Sequence, residues 1–250
     1  MSFCEHCVKG VVHEGEPVGV METVAGVPVY VARPKSGGED LLVLIASDVF
    51  GLGLVNTKLL ADSYAGNGFL TWVPDLFEGD AVRVTDMNQP GFSFEAWKTA
   101  HEPGPVLEKF VKPVIAAYKA AHPEGVVACL GFCYGGRLAV DLALERSTVA
   151  TSIAHPSLLQ LPEDMYKLAS VYSDRAVQIH SCEHDPMFPP SAFDECDAAF
   201  QPLGTRYQRT YSPGCSHGFA VRGDLSIPHV KAAKETVFNS TVQFLKTHTK

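Results

Sequence analysis

Seven residues in the middle of the chain, Leu130-Gly131-Phe132-Cys133-Tyr134-Gly135-Gly136, constrain its fold more than any other stretch. A short apolar run precedes them from Gly125 to Leu130, unbroken as in a buried parallel strand. After them, Leu138, Ala139, Leu142 and Ala143 recur at helical spacing, so a helix begins at once. A strand that becomes a helix within one residue leaves the central side chain on a tight, strained bend. That is the nucleophile-elbow pattern G-x-S-x-G, with Cys133 in the serine position. Gly131 and Gly135 fit it sterically, because a Cβ at either place would press on the neighbouring strand and helix. The helix N-terminus favours a thiolate on Cys133. For the motif alone, a structural cysteine in a glycine-rich turn is the competing reading.

An elbow nucleophile works with an acid and a histidine that follow it in that order. Residues 177–181 read as a strand running into a loop that carries Asp185. Residues 205–211 alternate like a strand and feed a loop that carries His217. Cys133, Asp185 and His217 thus each fall just past a strand, at the edge where open α/β sheets gather catalytic groups. Residues 41–46 read as a central strand, which sets Asp48, Val49 and Phe50 at the same edge. There the backbone amides of Val49 and Tyr134 are the expected oxyanion hole. Phe50, and Trp97 in the aromatic segment 78–100, are candidate substrate contacts, with packing under a long loop as the alternative for that segment. His155 follows a strand at 148–154 and either lines the pocket or satisfies backbone groups, the reading preferred here. Arg222 either turns back toward the pocket to hold a substrate carboxylate or pairs with Asp224 at the surface.

Gly131-Phe132-Cys133-Tyr134-Gly135-Gly136, Asp185 in its loop and His217-Gly218-Phe219-Ala220 resemble the dienelactone hydrolase family, as do residues 47–51 and 72–77. The likeness spans roughly residues 25–245, and the segment from Val12 is similar to eukaryotic, especially fungal, members. It implies an α/β-hydrolase fold, a mostly parallel central sheet with helices on both faces. It also implies a Cys-His-Asp triad and hydrolysis of esters or lactones. No cofactor and no metal are expected. Asp48 stands where bacterial members often carry Glu, for which the resemblance implies a role in gating the thiol; a capping or turn role is the alternative. Bacterial members hold a substrate carboxylate with arginines, and Arg222 matches one such position shifted by a residue.

The expected organisation is an N-terminal arm over residues 1–24 and a single α/β-hydrolase domain over 25–250. Cys4 and Cys7 form a lone C-x-x-C that lacks a second ligand pair, so the arm reads as solvated rather than metal-binding. A net charge of −8 repels nucleic-acid phosphates and anionic lipid, and no stretch is long and apolar enough for a membrane span. The N-terminus lacks the basic and apolar regions of a signal peptide, and seven scattered cysteines suit a reducing, cytoplasmic setting.

The expected activity is therefore hydrolysis of a small-molecule ester or lactone through a thioacyl-enzyme, with the oligomeric state left open. Thiolate leaves a tetrahedral intermediate more easily than alkoxide, so enol lactones and activated esters suit it and plain amides do not. A non-catalytic small-molecule binding module is the reading from another class. A Cys-elbow amidase or amidotransferase would place His-x-Glu where this chain has His217-Gly218-Phe219.

Overall fold

Apolar runs that alternate with helical periods give an α/β chain, and the computed structural model describes it at residues 11–36, 38–86, 89 and 91–249. The order is β1 (Val20–Val24), β2 (Val27–Ala32), β3 (Leu41–Ala46), α1 (Val55–Gly66), β4 (Leu70–Pro74), α2 (Phe94–Ala100), α3 (Pro103–Val106) and α4 (Lys112–Ala121). It continues with β5 (Val126–Phe132), α5 (Tyr134–Leu144), β6 (Ala150–Ala154), α6 (Glu163–Val171), β7 (Ala176–His184), α7 (Phe193–Phe200), β8 (Tyr207–Ser216), α8 (Phe219–Arg222) and α9 (Pro228–His248). The eight strands form one sheet in the order β1-β2-β4-β3-β5-β6-β7-β8. β1, β2 and β4 pair antiparallel, and every other pairing is parallel.

Strand periodicity divides the core into two. Leu42, Leu44 and Ala46 of β3 and Val127 and Cys129 of β5 pack with α4 to α7. Val43 and Ile45 of β3 and Ala128 and Leu130 of β5 face α1, α8 and α9. Both faces of the central strands are buried, which is why those strands read as continuous apolar runs.

Three details depart from the sequence reading. β1 lies within the segment read as an arm, so the sheet begins at Val20 rather than at residue 25. Ala25 and Gly26 join β1 to β2 with positive φ at both turn positions, the geometry that matches strand twist in a two-residue hairpin. Pro28, which cannot donate to a ladder, reads as the mark of an edge strand, yet β1 covers β2, and Pro28 pairs with Thr23 beside the turn. A proline near the start of a strand leaves the rest of the ladder intact. Residues 105–121 read as one helix, but a π turn over Leu107–Val111 interrupts it just before Pro113. Proline lacks the N–H for the ladder and crowds the preceding turn, which the wider turn relieves.

Candidate active site

The strand–helix junction forms as the glycines require. Cys133 follows β5 and opens α5 at φ 52 and ψ −112, a conformation costly for any residue with a Cβ. The surroundings over-determine it. Its N–H donates to Ala154 O at 3.2 Å, while its carbonyl accepts from the amides of Gly136 at 3.0 Å and Ser157 at 2.8 Å. A Cβ on Gly131 would stand 2.5 Å from Gly135 O, and one on Gly135 would collide with Ala46 O of β3.

Asp185 directly follows β7 and His217 directly follows β8, so topology brings both to the sheet edge that carries Cys133. His217 Nδ1 donates to Asp185 Oδ1 at 2.9 Å. The same oxygen accepts from the amides of Met187 at 2.9 Å and Phe188 at 3.2 Å, which fixes the carboxylate. Cys133 is 0 %, Asp185 3 % and His217 4 % exposed, so the group is withdrawn from water. Burial disfavours an imidazolium at His217. The charge of Cys133 and the bond to Asp185 outweigh it and push the His217 pKa up to about 10. The arrangement therefore suits a thiolate–imidazolium pair at neutral pH.

Two groups around the sulfur were not foreseen in the role they occupy. Ser157, two residues past His155, places its hydroxyl 3.5 Å from Cys133 Sγ. Asp48 and Arg222 form a buried ion pair, Nη1 to Oδ2 at 2.7 Å, with the guanidinium over the Phe50 ring at 5.2 Å. Arg222 thus turns inward, and the surface pair with Asp224 is not formed; Asp224 instead accepts from the Ser226 amide and hydroxyl. A Cβ on Gly218 would lie 2.5 Å from Arg222 Cζ, so the glycine after His217 makes room for this arginine. Burial pushes the Asp48 carboxyl up and Arg222 opposes it, while the charge of Cys133 adds to the rise. Asp48 Oδ1 also accepts from the Phe50 amide at 3.0 Å, so the turn-capping reading and a place near the thiol hold together.

The remaining candidates sort by contact. Among the described residues, the amides of Val49 and Tyr134 donate to no acceptor in the protein. Phe50 is enclosed beneath Arg222. Trp97 lies in a buried aromatic cluster with Phe77, Phe94, His101 and Tyr134, its indole N–H donating to Asp80 O at 2.6 Å, so it braces Tyr134 from behind. His155 satisfies a backbone group through its own amide, which donates to His180 O, and not through its ring. Both ring nitrogens lack a partner. The ring meets His217 edge-on at 5.0 Å, and burial, then His217 and Arg222, hold its pKa well below the ordinary value. It is a neutral wall against the catalytic-edge histidine.

Behind Arg222, three consecutive carbonyls at the end of α8 are capped from outside. Val221 O accepts from Asn56 Nδ2 at 3.1 Å and Lys234 Nζ at 3.0 Å. Arg222 O accepts from the Val11 amide at 3.0 Å, and His13 Nε2 meets Gly223 O at 2.9 Å. Lys234 Nζ also reaches His13 Nδ1 at 3.2 Å. A helix of four residues cannot satisfy its own last carbonyls, and residues 11–13 do so here. A cavity of about 410 Å³ borders His217, Phe219 and Arg222 on this side and is lined by Val11 as well.

Cys4 and Cys7 lie outside the described residues. Among those described, no group of three or more His, Cys, Asp or Glu is placed to hold a metal, and no helix is long and apolar enough to cross a membrane.

Comparison with known proteins identifies the family and the fold. The family model described as "Dienelactone hydrolase family" matches residues 27–249. Over 244 residues the chain is 32 % identical to the hydrolase pyvD of Aspergillus violaceofuscus, covering 98 % of this chain and 96 % of that protein. It is 31 % identical to "Dienlactone hydrolase 1" of Gibberella moniliformis, covering 96 % of this chain and 91 % of that one. A crystal structure from Klebsiella pneumoniae superposes with a TM-score of 0.69 at 18 % identity over 92 % of this chain and 98 % of that chain, a likeness of fold.

Proposed function

The chain belongs to the dienelactone hydrolase family of hydrolases, and from that premise we propose that it cleaves an ester or lactone bond of a small molecule with Cys133 as nucleophile. One observation carries the reading. A buried cysteine on a strained elbow faces a histidine whose proton affinity that same cysteine raises, and a fixed carboxylate holds the histidine's other nitrogen.

The steps follow from these contacts. Cys133 Sγ, as thiolate, attacks the acyl carbon, and the carbonyl electrons move onto oxygen. The unspent amides of Val49 and Tyr134 receive that oxyanion, each a donor of the kind worth roughly 3–4 kcal/mol. The C–O bond then breaks, and the imidazolium of His217 gives its proton to the departing oxygen. Neutral His217 next takes a proton from water, whose oxygen attacks the thioester, and the electron pair returns to sulfur as the acid leaves. Asp185 keeps Nδ1 protonated and the ring aligned throughout.

Arg222 is committed to Asp48, so a substrate carboxylate would have to displace a buried partner to reach it. Neutral enol lactones and aryl esters fit this site better. The experiment is turnover of a neutral aryl ester by the wild type and by Cys133→Ala. A loss of about 10⁴-fold or more in kcat is expected. Retained turnover in Cys133→Ala would remove Cys133 from the mechanism.

A further inference from the structure

We propose that Ser157 is a positioning residue for the Cys133 sulfur, its hydroxyl donating to the thiolate from 3.5 Å to hold it charged and aimed. The inference rests on the reading of Cys133 as nucleophile and adds a residue to that site.

A thiolate sealed from water needs donors, because a buried anion without hydrogen bonds is costly. His217 supplies one positive neighbour. Asp48 works the other way, since its carboxyl and the sulfur disfavour each other's charge. The Ser157 hydroxyl can act as a neutral donor to the sulfur, and it has no other hydrogen-bond partner among the described residues. The residue is fully buried.

The backbone makes the contact a fixed one. Ser157 N–H donates to Cys133 O at 2.8 Å, so donor and nucleophile are tied at two points. Pro156 packs against Gly136, where an added Cβ would lie 2.6 Å from the proline ring. His155 holds the start of the loop by donating its amide to His180 O at 2.9 Å and sits at φ 38, a strained value for a residue with a Cβ. The loop after β6 is thereby stapled to the elbow with one hydroxyl turned to sulfur.

The contribution is uneven along the reaction. In the resting thiolate the hydroxyl donates to a full charge, and in the thioester it faces a neutral sulfur. When water cleaves the thioester, the C–S electron pair returns to sulfur and the donation is restored. Ser157 thus favours the resting thiolate and the release of sulfur during deacylation.

The test compares wild type, Ser157→Ala and Ser157→Thr. Iodoacetamide alkylation of Cys133 is followed against pH by peptide mass spectrometry. Cys129 and Cys196, pushed up to about 12 by burial, serve as unreactive references. Losing a hydrogen bond to a charged group moves the alkylation midpoint of Ser157→Ala up by about one to two pH units. The acyl-enzyme formed from an activated ester then persists about tenfold longer or more, on the same basis. Ser157→Thr keeps the hydroxyl and keeps the wild-type midpoint, which a merely structural role would not require. Ala removes one atom and adds none, so should Thr fail to fit, the Ala comparison decides. A folded Ser157→Ala with the wild-type midpoint and acyl-enzyme lifetime overturns the proposal. If alkylating Cys133 leaves the wild type active, the nucleophile reading itself has failed, a separate result.

Discussion

At Cys133 buried ionisable groups fall into two sets, the sulfur with His217 and Asp185, and Asp48 with Arg222. Their burial decides what a substitution does. Removing Arg222 alone leaves Asp48 charged and enclosed, a loss of about 3–5 kcal/mol, part of which protonation of Asp48 relieves. Replacing both, as Asp48→Asn with Arg222→Leu, removes the charges together and costs much less than the sum of the single changes. Urea denaturation of the four proteins of this cycle measures the coupling; additive losses would mean that the pair carries no such coupling. The residue scale was legible in part. The gathering of Cys133, Asp185 and His217 at one sheet edge was readable because each directly follows a strand. Arg222 gave no signal for its partner, since Asp48 lies 174 positions away and only the fold joins them. Ser157 was visible as the third residue of His155-Pro156-Ser157, but a lone serine has no period or spacing that reports a sulfur nearby.

At the scale of elements, α8 shows why short pieces escape sequence reading. Phe219–Arg222 is one turn, too short for an apolar period, and its carbonyls are capped by residues from the far N-terminus. The arm segment over residues 11–13 is therefore part of the mounting of Arg222. Deleting residues 2–13 uncaps the Arg222 and Gly223 carbonyls and is expected to lower both melting temperature and ester turnover. His13→Ala removes the side-chain contacts alone and is expected to cost about 1 kcal/mol, the usual worth of a partly buried hydrogen bond. Calorimetry on both proteins checks this; an unchanged transition in the deletion would make the cap idle. Longer elements were readable where both sheet faces are buried, as in β3 and β5, and at the elbow, where glycine is required. β1 gives only a weak pattern in the sequence because its side chains are mostly exposed or half-exposed.

For the molecule as a whole, buried histidines set opposite limits on stability with pH. His217 has its folded pKa raised to about 10, so its contribution is complete below about 6.5 and is lost as pH rises toward 10. His180 is the reverse. Burial lowers its pKa to about 3, and its ring bonds Thr210 and Thr241 within the core. Its contribution is present above about 6.5 and is lost as pH falls toward 3, with His155 acting in the same direction. Melting temperature is thus expected to peak near neutrality, with an acid limb that His180→Gln makes shallower. Each 1 kcal/mol lost moves the transition by about 2–4 °C in a chain of this size. An acid limb of equal steepness in that variant would assign it to other groups. A thioacyl-enzyme on Cys133 can be trapped by quenching the wild type in acid during turnover of an activated aryl ester and mapping the acyl group by peptide mass spectrometry. The expected result is an acyl adduct on Cys133 that neutral hydroxylamine removes. Rapid turnover with the acyl group on another residue, or undiminished turnover in Cys133→Ala, would contradict it.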